Sequence, residues 1–501
     1  MTQPKAEAHA HLDSGMLASL GERGIEVPPS SSLDAPETIL QLGFGKFLRG
    51  FTPDFVQLAN AAGHYRGRIL AVQRESDYRS AAAQKQGGLY TLILRGLENG
   101  SQIETKRVIG SVSRLVPANH GWEEIKAAVR RRSLRVVVTN ATETGLRLDS
   151  TERADAQPPR SFAGKLTRLL YERWLATQGE DADIAVIPTE LVLDNGAVVH
   201  RLLVEQAQAW RLDDGFVDWL RASVHVASTL VDRIVVGTPG EQVLREECAA
   251  VGYHDELLTC GEPYYLFAIQ ADEFTRHHFP MHISTPNVCF VDDLGPYRRR
   301  KLRLLNGPQM VLSTLGTYLD FTLVRDTVRD PQLGEFTQQT IWQEIIPAMG
   351  TEEERVNGDY ARECYQRIGN PTIEHRLQGI RMDLTTKNAI RLFPSVRDFM
   401  ARRKEMPGRI LLTLAATLAV ALKIQLQDVN AEFIASRWAA TDEHSSESLY
   451  AFSRDALTRL SEASHEELDV NAVAPTVADL LRSIRKEGLR PLLSRVYGLN
   501  P

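Results

Sequence analysis

"ILQLGFGKFLRG", residues 39–50, decides how the first half of the chain is read. An apolar run meets Gly43 and Gly45, the pattern of a parallel strand that turns into a helix and aims backbone N–H groups at a phosphate. The third glycine of G-x-G-x-x-G is missing, because Leu48 holds its place. That glycine normally lets the helix pack close to the sheet, so Leu48 implies a more open crossing that still permits phosphate contact. Lys46 and Arg49 offer positive charge beside it. Read alone, the stretch fits a dinucleotide loop and an ordinary strand–turn–helix junction alike.

Working outward, apolar runs alternate with helical stretches. "TILQLGF", "GRILAVQ", "LRVVVTNAT" and "DIAVIPTEL" read as strands, and "GLYTLILRGL" as a strand with hairpin character. "FTPDFVQLANAAG", "WEEIKAAVRRR" and "FAGKLTRLLYERWLATQ" read as helices. Near-continuous Val/Ile/Leu strands between amphipathic helices predict a mostly parallel, doubly wound sheet. The second strand ends near Glu75, which suits the hydroxyls of an adenosine ribose, although the usual interval from the glycines is about 20 residues and Glu75 lies further on. Arg74 beside it suits a 2′-phosphate; NAD is favoured over NADP. Thr139 and Asn140 end a third strand, where ligands of such sheets sit. A turn or cap is the competing role for Asn140.

Beyond "NVCFVDDLGPY" at 287–297 the pattern is helical throughout. The expected organisation is a loosely ordered extension over 1–36, polar and carrying "PPSSS", then a Rossmann-like α/β domain over 37–293, then an all-α domain over 294–501.

"PYRRRKLRLLNGPQMVLSTLGTYL", 296–319, sets Lys301, Asn306 and Gln309 within an apolar helical stretch. On a straight helix Lys301 and Gln309 lie about 80° apart and Asn306 about 140° from Lys301. They share one broad side at most. Gly307-Pro308 should bend the helix and gather them. A lysine drawn into a dry cleft between domains loses solvation, its pKa falls, and it can take a proton from an alcohol. Asn306 can donate to the developing alkoxide. An exposed Arg/Lys cluster with a bend-forming asparagine is the competing reading.

A net charge of −6 over 501 residues argues against a generic nucleic-acid binder. Four cysteines without a CxxC pair or metal-like spacing predict reduced thiols and no metal site. The N-terminus lacks the pattern of a signal peptide, and "ILLTLAATLAVAL", 410–422, is too short to cross about 30 Å of hydrocarbon. A buried helix, no membrane partner and a cytoplasmic location are expected.

Taken together, the stretches resemble the polyol-specific long-chain dehydrogenases, the mannitol dehydrogenase family. "GFGKFLRGF", "TNATETG", "IPTELVLDNG", "STLVDRIVVGTP", "VDDLGPYRRRKLRLLNG" and "NPTIEHRL" carry the likeness, and they are most similar to its tagaturonate reductase (altronate oxidoreductase) branch. The resemblance implies NAD held at Leu42, Gly43, Phe44, Gly45, Lys46, Phe47, Glu75, Thr139 and Asn140. It implies a catalytic lysine at Lys301 and an oxyanion-binding asparagine at Asn306. Gln309 could still donate to the substrate, and His375 resembles the uronate branch, where it contacts substrate or packs a helix; an acidic substrate also needs a cation, for which Arg298, Lys387, Arg300 and Arg381 are unranked candidates. The implied reaction interconverts a ketouronate and an aldonate, tagaturonate and altronate first, with fructuronate or a neutral polyol such as mannitol as alternatives. Two departures stand out. Gln309 replaces a histidine and Pro308 replaces a helix former, whereas Leu191, where the mannitol branch has a second asparagine, agrees with the uronate reductases. Glutamine can donate but cannot titrate, so an impaired NAD-binding sensor is the alternative of another class.

Overall fold

Strands β1 (Glu37–Leu42), β2 (Arg68–Gln73), β3 (Val112–Pro117), β4 (Val136–Thr139), β5 (Ile184–Pro188) and β6 (Val224–Val226) pair in parallel in the order β3-β2-β1-β4-β5-β6. The computed structural model describes residues 10–74, 78–98, 101–142, 145–351 and 354–500. It divides into two units, Met1–Leu294 and Gly295–Pro501.

The strand period of two explains why these runs are apolar throughout. Ile39, Ile69, Ala71, Val136, Val138, Ala185 and Ile187 point into one core layer, and Leu40, Leu70, Val72, Val137, Ile184 and Val186 into the other. Helices Ala118–Val129, Phe162–Thr177, Asn195–Ala209 and Asp214–Ser223 bury their apolar residues in the second layer. Each fully buried aliphatic side chain stabilises by about 1.5–3 kcal/mol. Chain order reverses between β1 and β4, the point where such sheets open a crevice. Leu42 sits level with Val72 on one side and Thr139 on the other, so the three strand ends form one floor.

Two smaller sheets complete this unit. Tyr90–Glu98 and Ser101–Ile109 form the expected hairpin, extended by Thr259–Gly261 and Val235–Gly237. Leu266–Gln270 joins Ser228–Asp232 and Val288–Phe290. Buried Asp54 ties the helix Thr52–Ala61 to them, paired with Arg107 and, at 2.8 Å, with Arg233. Burial pushes the Asp54 carboxyl up, but the two guanidiniums outweigh it and hold the group below its usual range.

The loosely ordered extension is corrected where it is described. Residues 10–36 contribute Leu12, Leu17, Leu20 and Ile25 to a core with Leu89, Val108, Val251 and Tyr253. Asp13 accepts from the Gly15 and Met16 N–H groups and starts a helical turn, and the Glu26 N–H bonds the Lys106 carbonyl at 2.9 Å. Polar composition hid a spaced apolar face, and burial of that face orders the segment.

Among the described residues the unit Gly295–Pro501 is helical, with one isolated antiparallel bridge between Leu323 and Arg376. Its centre is Gly408–Lys423, buried from Ile410 to Ala421 as the apolar run predicted. Among the described residues no helix is long and apolar enough to cross a membrane. Two π turns, Leu302–Asn306 and Ile341–Ile345, interrupt its helices.

Candidate active site

At the level strand ends the backbone of Gly43 takes φ +129°, which only glycine adopts readily, and a Cβ there would lie 3.1 Å from Leu48 Cδ1. The Gly43 N–H bonds the Val72 carbonyl at 2.8 Å. Gly45 precedes a single helical turn, Lys46–Arg49, with open space around its Cα. That turn ends at Gly50, and the longer helix starts afresh at Thr52. A close approach does occur at Gly50, but to a smaller sheet: a Cβ there would meet Val235 Cγ1 at 2.8 Å. Leu48 is buried, and its Cδ1 packs beneath the Gly43 turn.

A pocket of about 890 Å³ opens above this floor, within the range of small-molecule sites. Leu42, Gly43, Arg74, Asn140, Arg147 and Lys165 are among its lining residues. Lys46 is exposed at the start of its turn. Phe44 and Phe47 instead turn into the core: Phe44 packs edge-on to Tyr90, and Phe47 stacks on Phe51. Arg49 also departs from the reading as a phosphate cation. It is buried and donates to Thr259 Oγ1 at 2.9 Å and Thr238 Oγ1 at 3.1 Å, and burial pushes its pKa down. Glu75 lies outside the described residues.

Thr139 is buried, and its carbonyl accepts from the Thr189 N–H and hydroxyl. Asn140 acts as the cap that was the competing role for it, and it also faces the pocket. Its Nδ2 caps the end of β5 by donating to the Thr189 carbonyl and hydroxyl, each at 3.0 Å. The Ala141 N–H donates to Glu190 Oε1 at 2.8 Å. Burial pushes the Glu190 carboxyl up, and the Ala141 hydrogen bond offsets this only in part. Sequence reading passed over Glu190, although an acid closing the apolar run "IAVIPTE" was the available signal. Its neighbour Leu191 is exposed.

In the helical unit, Lys301 ends the helix Gly295–Lys301, and the π turn Leu302–Asn306 follows at once. The cause is Pro308. It has no N–H for the carbonyl four residues back, and its ring would strike that carbonyl. The widened turn relieves the clash, and the Gly307 N–H reaches back to the Leu302 carbonyl. The expected bend thus takes the form of a π turn with helical backbone on both sides. Bonds spanning five residues widen the turn, so residues five apart lie closer in azimuth than the about 140° of a straight α-helix. Asn306 Nδ2 donates to Gln309 Oε1 at 3.1 Å.

The π turn packs against helices Glu354–Ile368 and Leu384–Arg403. Arg303 anchors it by an ion pair with Asp398 of the latter. Lys387 and Arg391 lie one turn apart on that same helix, and Arg391 Nη1 sits 2.8 Å from Met310 Sδ, next to Gln309. Lys387 Nζ reaches the Ile380 carbonyl at 3.3 Å. Arg298 is half-buried in the turn before Lys301. His375 lies in a loop, not on a helix, with its carbonyl accepting from the Val324 N–H at 2.9 Å.

Residues 37–282 match the model of the mannitol dehydrogenase Rossmann domain, and residues 293–479 that of the mannitol dehydrogenase C-terminal domain. The altronate oxidoreductase of Bacillus subtilis is 32% identical over 384 residues, covering 76% of this chain and 79% of its own. That of Halalkalibacterium halodurans is 34% identical over 390 residues, 77% of this chain and 75% of its own. Among solved structures, Pseudomonas fluorescens mannitol 2-dehydrogenase, in a ternary complex with NAD and D-mannitol, superposes with a TM-score of 0.76 at 21% identity. The match covers 97% of this chain and 99% of that one. A substrate-free D-sorbitol dehydrogenase gives the same score at 19% identity, covering 95% and 99%. Both share the fold.

Proposed function

The chain belongs to the mannitol dehydrogenase family, and from that premise we propose that it is an NAD-dependent oxidoreductase interconverting a ketouronate and an aldonate, tagaturonate and altronate first. The observation that carries the reading is the pocket over the level ends of β1, β2 and β4. Its chemistry suits a dinucleotide: a glycine whose Cβ would crowd the turn, open space at Gly45, and cationic residues Arg74, Arg147 and Lys165 in the lining. Leu42, Gly43, Gly45 and Asn140 would hold the coenzyme, which when bound takes up or supplies the hydride.

The chain's own residues handle the proton and the oxygen. In oxidation Lys301 accepts the hydroxyl proton, and in reduction it returns one. Asn306 donates to the substrate oxygen through the amide hydrogen that Gln309 does not use. Gln309, accepting from Asn306, sets the orientation of that amide. A titrating histidine is not needed for this task. Arg298 and Lys387 supply cations for the carboxylate of an acidic substrate, and His375 contributes a further polar contact.

The test is a substrate panel of tagaturonate, fructuronate and mannitol with NADH or NAD, followed through the absorbance of the reduced nicotinamide. Tagaturonate is expected to show the highest kcat/KM, and activity confined to neutral polyols overturns the sugar-acid assignment. Lys301→Ala should lower kcat by about 10²–10⁴-fold while NADH remains bound by fluorescence. Undiminished turnover in that variant removes the lysine from the mechanism.

A further inference from the structure

The segment before residue 37 precedes the region matched by the Rossmann-domain model, yet it is stitched to that domain at Glu26 and again at His11. His11 lies opposite His254 in a parallel bridge. The bridge is closed by the Leu12 N–H on the His254 carbonyl at 3.1 Å and the His254 N–H on the Ala10 carbonyl at 2.8 Å. The two imidazoles meet edge to face with centroids 5.0 Å apart. Glu256 stands two residues further on, its Oε1 4.0 Å from His254 Nε2.

We propose that His11, His254 and Glu256 form a binding site for a zinc-type divalent metal ion that clips the N-terminal segment to the Rossmann unit. One ligating atom from each residue lies within 4.8 Å of the others. Two imidazoles and one carboxylate are a donor set that zinc takes, with the fourth position left to water. Magnesium and calcium prefer all-oxygen shells, so the site discriminates against them. Tetrahedral bonds of about 2.0–2.1 Å need the donors closer together than they now stand. Side-chain rotation closes that gap, because His11 is exposed and the other two are half-buried. One cation already faces the site: Lys85 Nζ is 3.7 Å from Glu256 Oε1 and must swing away as the metal enters. Lys85 is largely exposed, so water receives it. The three donors come together only in the folded chain, so the ion binds the folded state in preference to the unfolded one and thereby stabilises the fold.

The experiment uses the untagged full chain, stripped with chelator and titrated with zinc sulfate by calorimetry. One saturable site per chain and a raised melting temperature are expected. The chain has 13 histidines, so location is tested by His11→Ala and His254→Ala. Each should weaken binding at least about ten-fold, the low end of what loss of even a supporting residue costs. Lys85→Ala should tighten it. X-ray absorption of the zinc-loaded wild type reads the ligands without a variant, and two imidazoles are expected. Absence of saturable uptake, affinity unchanged in both histidine variants, or fewer than two imidazoles on the metal would each overturn the site.

Discussion

Glu190 holds a carboxyl out of water at the end of β5, one hydrogen bond away from the turn that carries Asn140 and Ala141. Its raised pKa has a direct consequence for stability. Below the unfolded-state pKa, about 4.3, both states are protonated and burial carries no ionisation penalty. As the pH rises the unfolded chain ionises first, so the wild type loses stability until the folded-state carboxyl also ionises. Glu190→Gln keeps an acceptor for the Ala141 N–H and does not titrate. Its advantage over the wild type in urea unfolding should therefore grow from pH 4 upward, and a pH-independent difference would rule out a raised Glu190 pKa. At the same scale, Arg49 shows how one cation can be misread. Adjacent to two glycines it looked like a phosphate ligand, but Thr238 and Thr259, about 200 positions away, bind it inside the unit.

Both π turns share one local grammar. Leu302–Asn306 is followed by Gly307-Pro308, and Ile341–Ile345 by Ile346-Pro347, and in each the residue before proline donates its N–H five residues back. Proline thus widens the helix instead of ending it. For the element carrying Lys301 and Asn306, the widening lessens the about 140° by which an α-helix would separate them. Pro308→Ala restores the missing donor and lets the turn relax to α-helical spacing. The expected result is a melting temperature equal to or above the wild type with kcat reduced about ten-fold or more, since hydrogen-bond donors at an oxyanion contribute on the order of 10²–10³. Unaltered kcat would show that the π turn does not align the pair.

At the scale of the whole molecule, Asp54 with Arg107 and Arg233 joins the Rossmann sheet's first long helix to both smaller sheets, and Arg107 reaches on to Glu26 of the N-terminal segment. Asp54→Ala leaves two buried guanidiniums without their shared carboxylate and should cost about 3–5 kcal/mol in urea unfolding; a loss below about 1 kcal/mol, the scale of an exposed pair, would place the triad among surface-type interactions. Because the folded-state pKa of Asp54 is depressed, the contribution is present above the ordinary carboxylate pKa of about 3.9. It fades as the pH falls through the lower folded-state value, so variant and wild type should converge in acid. Much of the fold was legible beforehand. Val136–Val138 and Ile184–Ile187 are short, apolar and bounded, which suffices to name buried parallel strands, and "ILLTLAATLAVAL" named its own buried helix. The candidate site was legible only in part. Gly43 and Asn140 stand at strand ends that periodicity predicts, whereas Glu190, Gly50 and the meeting of His11 with His254 leave no periodic trace.

By itself the amino-acid sequence determined the parallel sheet, the helical second half and the family, because alternation, helical period and motif order are properties of neighbouring residues. Only the tertiary structure decided that Gly50 packs tightly on Val235, that Arg49 is interior, that residues 10–36 are folded, and that Asn306 meets Gln309 beside a widened turn. The physical reason is that each of these depends on what a side chain meets across space. Val235 against Gly50, Thr259 against Arg49 and Val251 against the N-terminal leucines are brought there by the packing of whole elements, which no local spacing records.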